Sequence, residues 1–257
     1  MMKLFLSHKN KNSIKSEKYD LIFGIGSACL CSQTLRKLKL QFYSYPLDWL
    51  YGRAFPYRVD LLVNEFKDFI NCEDLVFENA WNNDRKNPCS VYKNQRTGIV
   101  FNHDFTKDVP LTETFGQVRS KYERRINRLI EQIRQSDRIL VVYVEVPGNA
   151  EDVGEQVLRD CQKKIEEKFS GKRIDLLYVG CRETPVDERY GDHIRKLCFD
   201  YRNKDNTPPH DARLLRAGLR GRYCLKRSFF ERCRSVIFRL KKHLKQCNFL
   251  STKGVHS

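Results

Sequence analysis

Cys29, His103 and Asp48 are the residues whose types and settings in this sequence suit covalent catalysis. Cys29 follows Gly24-Ile25-Gly26-Ser27-Ala28, which itself follows the bulky apolar residues Leu21, Ile22 and Phe23. The apolar run reads as a short buried strand and the glycines as a sharp turn. Leu30, Leu35 and Leu38 then repeat at helical spacing, with Ser27 placed to cap the helix. Cys29 therefore falls in the first turn of a helix, where unpaired N–H groups and the positive end of the helix dipole stabilise a thiolate. A thiol nucleophile also needs a base and donors for the oxyanion. His103 is the base of choice, because it closes an apolar run at 98–101 and ends of strands are where α/β sites form. Asp48, in the aromatic turn Tyr45-Pro46-Leu47-Asp48-Trp49, is the carboxylate expected to orient the imidazole. Asp104 is the alternative orienting acid, less well placed because consecutive strand residues face opposite sides. Glu145, ending the run 139–144, is a more distant candidate. The bland alternatives are a core thiol at Cys29, a strand cap at His103 and a turn cap at Asp48. Cys31 reads as a core thiol.

The elements that must carry these residues follow from periodicity. Apolar positions 59, 62, 63, 66, 69 and 70 make a helical stripe. Residues 71–97 are polar and turn-rich, suiting a loop or short hairpin. Residues 115–135 make a strong helix with Val118, Tyr122, Ile126, Leu129, Ile130 and Ile133 on one stripe and arginines around the rest. Arg124 or Arg125 on that helix, with Ser27, are the expected substrate contacts, since a guanidinium can grip an acidic group bidentately. Residues 139–144, 174–179 and 196–201 read as buried strands and 153–169 as another amphipathic helix. Strands alternating with helices predict an α/β fold: a mostly parallel sheet with helices on both faces, plus a C-terminal basic amphipathic helix.

Charge divides the chain. Of the net +16, residues 206–257 contribute +11, from 13 Lys/Arg against Asp211 and Glu231. The expected organisation is a lead-in at 1–18, an α/β catalytic domain at 19–205 and a basic extension at 206–257, entered through Pro208-Pro209. In the extension, Phe229, Cys233, Val236, Ile237, Leu240 and Leu244 share one face, and Lys241 and Lys242 sit among the basic residues opposite. That pattern suits an anionic membrane surface, with Phe229 and Leu240 entering the headgroup boundary and Lys241 and Lys242 meeting phosphates. Nucleic acid is not an expected partner, because no base-stacking module is present. The ten cysteines contain no CxxC pair, so no metal site is expected. Two glycines without the third of a dinucleotide fingerprint, and no Gly-Lys-Ser/Thr, predict no cofactor. The short apolar start and the lack of a long apolar stretch lead to the expectation of a cytoplasmic protein with reduced thiols, peripheral at the inner face of the membrane.

Gly26-Ser27-Ala28-Cys29, Leu35-Arg36, Pro46-Leu47-Asp48-Trp49 and His103-Asp104 together resemble a bacterial family of unknown function described as papain-like cysteine peptidases. That family's pattern has Phe where Leu47 stands. The resemblance spans residues 19–145. It implies Cys29 as nucleophile and His103 as base, acting on an acyl or peptide-like substrate, to which Arg124 or Arg125 adds the expectation of an acidic group. Two other functions compete. A Gly-Ser-x-Cys turn after the first strand is similar to SGNH-like esterases and sugar acyltransferases of surface polysaccharide or lipopolysaccharide biosynthesis. A non-enzymatic membrane-surface protein would use only the basic extension.

Overall fold

A computed structural model describes residues 16–81, 88–146, 153–201 and 213–226. The extension residues Phe229, Leu240, Lys241 and Lys242 lie outside the described residues, as does the expected amphipathic helix that carries them. The compact unit runs to Leu225.

The chain enters through β1 (Glu17–Tyr19) and β2 (Leu21–Gly24), then α1 (Cys29–Lys37), β3 (Leu50–Tyr51) and α2 (Phe55–Val63). A three-stranded meander follows: β4 (Leu75–Trp81), β5 (Cys89–Asn94) and β6 (Val100–Thr106). Next come the long α3 (Leu111–Gln135), β7 (Arg138–Val144), α4 (Glu155–Lys168) and β8 (Arg173–Gly180). The hairpin β9 (Val186–Tyr190) and β10 (Ile194–Cys198), then α5 (Arg213–Leu219) and β11 (Tyr223–Leu225), complete the order.

The main sheet has the order β2-β7-β8-β10-β9. Its residues alternate between two cores. Phe23, Val141, Tyr143, Leu176 and Tyr178 face one side, with the inner faces of α2, α3 and α4 and the second sheet. Ile22, Leu140, Val142, Val144, Leu177 and Val179 face the other, with α1, α5 and β11. This period of two on a sheet covered on both faces is what makes its central strands β2, β7 and β8 almost wholly apolar.

The expectation of a mostly parallel sheet is corrected: of the two larger sheets, the main one is mixed and the second is antiparallel. In the main sheet β9 runs antiparallel to β10, because only residues 191–193 join them and a parallel crossover needs a dozen or more. The second sheet, β3-β6-β5-β4, is antiparallel throughout. The strand expected at 98–101 is β6, and it belongs to this second sheet. The helical stripe expected to reach Ile70 stops at Val63. Glu65, Phe66 and Asp68 take left-handed φ values of 52°, 59° and 54°, and Phe66 and Phe69 are buried from turns instead.

Residues 213–225, expected as the start of the basic extension, pack within the compact unit. Leu215 and Leu219 are buried in the second core, and β11 pairs in parallel with β1. At that edge, where the parallel strands begin, buried Asp175 gathers the network. It accepts from Tyr19 Oη at 2.8 Å, Arg138 Nη2 at 3.0 Å and Arg173 Nε at 3.1 Å, and pairs with His193 Nδ1 at 2.7 Å.

Candidate active site

Cys29 opens α1 and is partly exposed. Ile25 N–H donates to Val142 O at 2.8 Å and Ser27 N–H to Val144 O at 3.1 Å, so the chain follows β7 past the end of β2 before it turns into the helix. Cys29 thus stands beyond the carboxyl ends of the parallel strands, the edge where open α/β sheets place their sites. Ala28 is the N-cap and provides no side-chain cap to the first N–H groups. Those groups are suited to hold an anion.

Ser27 does not take the expected role of helix cap, which falls to Ala28. Ser27 is 1% exposed, its hydroxyl accepts from Val146 N–H at 2.9 Å, and it lies 3.4 Å from Val144 O. The two glycines are also explained differently from the sharp turn expected. Neither Gly24 nor Gly26 has a positive φ. They let α1 lie directly on the strand: a Cβ at Gly24 would come within 2.7 Å of Cys31 Sγ, and one at Gly26 within 2.4 Å of Cys31 Cβ. Burial pushes the Cys31 thiol up to about 12, with the nearby Asp48 charge acting the same way, so Cys31 stays a core thiol.

Asp48 is buried, 2% exposed, and bound to the same helix. Its Oδ2 accepts from Gln41 Nε2 at 2.7 Å, Tyr45 N–H at 2.9 Å and Arg36 Nη2 at 3.3 Å. Gln41 also accepts from Gly24 N–H at 3.2 Å, tying the carboxylate to the strand before the nucleophile. Ser32 Oγ donates to the Asp48 carbonyl at 2.9 Å and lies 3.1 Å from the Cys29 carbonyl. Arg36 meets the Trp49 ring at 5.7 Å, so Leu35-Arg36 and Pro46-Leu47-Asp48-Trp49 are two halves of one contact. Burial raises the Asp48 pKa, against the opposing pull of Gln41, the Tyr45 N–H and Arg36.

His103 is half-buried on β6. In the ladder Tyr92 faces Phe101 and Ser90 faces Phe105, so residues 102–104 oppose Val91 alone and form a bulge. A bulge re-aims side chains locally, and the strict alternation expected at His103-Asp104 does not hold there. Leu50 of β3 pairs antiparallel with Phe101. Asp48 precedes that pair by two residues and His103 follows it by two, so both leave the ladder at its same end. Asp104, the alternative orienting acid, is occupied elsewhere: Lys121 Nζ donates to Oδ1, and Tyr122 Oη donates to Oδ2 at 2.8 Å. Glu145 is likewise taken, by Arg182 at 2.9 and 3.1 Å and by Tyr178 at 3.3 Å.

Arg58 on α2 was not singled out by the sequence. It is fully buried and donates to carbonyls on both sides of the site: Gly26 O, Leu50 O at 3.0 Å, and Gly52 O at 2.8 and 3.0 Å. Burial lowers its pKa to about 10, with Tyr143 and Cys31 opposing. It fastens the turn before Cys29 to β3, whose partner β6 carries His103. The only signal was one basic residue adjoining the apolar stripe that begins at Val59, which an exposed arginine would also give.

Arg124 is exposed, whereas Arg125 is partly buried. Among the described residues, five buried side-chain atoms lack a hydrogen-bond partner: Arg36 Nε, Asp48 Oδ1, Asn102 Oδ1, Arg125 Nη1 and Arg182 Nη2. Four of these belong to α1, the Asp48 turn, the His103 bulge or the helix crossing them. Buried polar atoms are normally satisfied, so these are exceptions to the usual pairing. No group of three His, Cys, Asp or Glu among the described residues could hold a metal, and no helix among them is long and apolar enough to cross a membrane.

No curated protein and no solved structure matches the chain. Residues 20–184, from the start of β2 to just past β8, match the family model described as "Putative papain-like cysteine peptidase (DUF1796)". That span holds Cys29, Asp48 and His103 together with both sheets' central strands, and the chain belongs to this family.

Proposed function

We propose that the chain is a cysteine-dependent acyl hydrolase of the peptidase type, with Cys29 as nucleophile, His103 as base and Asp48 as the residue orienting His103. One observation carries the reading. Asp48 is fastened to the Cys29 helix through Oδ2 and its carbonyl, while its buried Oδ1 has no partner. That oxygen is suited to accept an imidazole N–H, and His103 leaves the ladder at the same end.

In the reaction, His103 takes the Cys29 proton and the sulfur attacks the substrate carbonyl. The tetrahedral oxyanion is held by N–H groups at the start of α1. The imidazolium returns the proton to the leaving amine or alkoxide as the C–N or C–O bond breaks, leaving a thioester. Water, deprotonated by His103, then attacks the thioester, and Cys29 departs with the acid as product.

The test is limiting alkylation with iodoacetamide and peptide mapping across pH. Cys29 is expected to label first among the cysteines and below pH 8. His103→Asn is expected to keep the melting temperature within a few degrees and lose that early labelling. Uniform labelling of the cysteines, or an unchanged Cys29 rate in His103→Asn, would remove the reading.

A further inference from the structure

Helix α3 crosses the site between its two halves. At Tyr122 it is fixed to Asp104, beside His103, by the 2.8 Å hydroxyl bond. At Arg128 it is fixed to the Asp48 turn, through a 3.3 Å bond to the Ser44 carbonyl and a stack on Tyr43 at 5.2 Å. Six residues separate these anchors, about 9 Å along the axis. Arg125 lies midway.

Apart from the exposed Arg124, the neighbouring cations are engaged. Lys121 donates to Asp104, Arg119 pairs with Glu123, Arg134 with Glu65, and Arg36 reaches Asp48 and Ser44. Arg125 has no ion pair or hydrogen bond among the described residues. Its guanidinium stacks on Tyr122 at 5.3 Å, and its Nη1 is buried without an acceptor. Tyr122 is itself buried and fixed by Asp104, so the guanidinium stacks on a ring held in place. A guanidinium held this way lacks only an acceptor with oxygen lone pairs, and a carboxylate or phosphate presents the matching fork.

We propose that Arg125 is the specificity residue of this site and binds an oxyanion group, carboxylate or phosphate, on the acyl substrate of Cys29; the inference rests on the thiol-hydrolase reading above. The substrate class is then an anionic acyl compound, such as an acidic peptide or a phosphorylated acyl donor. Arg124, one residue away but exposed, plays no part.

Two alkylating agents that differ in charge test this on the full chain. Iodoacetate carries a carboxylate, and iodoacetamide is its neutral counterpart. The iodoacetate-to-iodoacetamide rate ratio at Cys29 is expected to fall about tenfold in Arg125→Gln, the equivalent of one charge-assisted hydrogen bond. Arg124→Gln should change it less than about twofold, as a screened surface charge does. An unchanged ratio in Arg125→Gln, or equal falls in both variants, overturns the proposal. Inorganic phosphate and acetate, added separately, should slow iodoacetate labelling. Whichever protects better identifies the source of the oxyanion, and protection by neither overturns the site. The two failures separate. If neither reagent favours Cys29, the thiol-enzyme reading falls. The anion site is then judged by the melting temperature in phosphate or acetate. A rise lost in Arg125→Gln upholds the site, and an equal rise in both proteins overturns it.

Discussion

The Ser32 hydroxyl donates to the backbone carbonyl of Asp48 across 2.9 Å, from the turn of α1 that follows Cys29. With Arg36 and Gln41 it makes the Asp48 turn part of the nucleophile's helix rather than a separate loop. The residues that would orient the base and carry the attack are therefore hydrogen-bonded into one unit. Arg58 joins that unit to the antiparallel sheet, which carries His103.

Asp48→Asn keeps the side-chain shape and an oxygen for Gln41, the Tyr45 N–H and Arg36. It places an N–H₂ where Oδ1 now lies, which cannot accept from imidazole. The variant is expected to fold, with a loss of about 1–3 kcal/mol. Cys29 alkylation at pH 7 should slow by about a hundredfold. Parallel urea denaturation and labelling kinetics measure both; an unchanged labelling rate would show that Asp48 is only a turn cap.

Gly24 and Gly26 make separable predictions. Gly24→Ala meets the Cys31 sulfur at 2.7 Å, with the next neighbour at 3.4 Å. Removing that sulfur in Gly24→Ala/Cys31→Ala should restore most of the lost stability. Gly26→Ala meets Cys31 Cβ at 2.4 Å and Val144 O at 3.0 Å, and alanine at 31 keeps that Cβ. No rescue is expected there. Melting temperatures of the four variants decide it, and rescue of Gly26→Ala by Cys31→Ala would contradict the packing.

Arg58→Met fills much of the same space but leaves the carbonyls of Gly26, Leu50 and Gly52 without their donor. Buried acceptors left unpaired cost about 1–3 kcal/mol each, less in combination. A fall of about 10 °C in melting temperature is the expected scale for a chain of this size. If instead the variant is as stable as the parent, the carbonyls find other donors and Arg58 does not hold the two halves together.

Asp175 sets a pH dependence. Burial alone would raise its pKa, but bonds from His193, Tyr19, Arg138 and Arg173 outweigh burial and hold it below the usual 3.8. Because the folded value is depressed, its contribution to stability is present above about pH 4 and is lost as pH falls through the folded value. Wild-type stability should therefore drop more steeply between about pH 4 and pH 2 than that of Asp175→Asn. Urea midpoints across that range test it, and parallel curves for the two proteins would show that Asp175 carries no such linkage.

Much was readable from local sequence because local physics dictates it. The apolar run before Gly24 suits a short buried strand ended by glycines, and the stripe from Val118 to Ile133 has the period of a helix with one buried face. A thiol at position 29 follows from where that strand stops and the next helix starts. The four motifs of the resemblance marked Cys29, Arg36, Asp48 and His103 without saying how they meet. Tertiary structure alone decided the rest. Strand direction depends on which partner a strand finds, so Val100–Thr106 reads the same in either sheet and only its pairing with Leu50 and Tyr92 made it antiparallel. The roles of Gly24, Gly26 and Ser27 depend on what packs against them, Cys31 and the end of β7, both remote from any turn preference. Arg58 looks like a surface arginine in sequence, because a charge declares itself buried only when carbonyls from distant segments surround it in space. Sequence named Arg124 and Arg125 together, and only the packing of Arg125 on Tyr122 separates the half-buried one from its exposed neighbour.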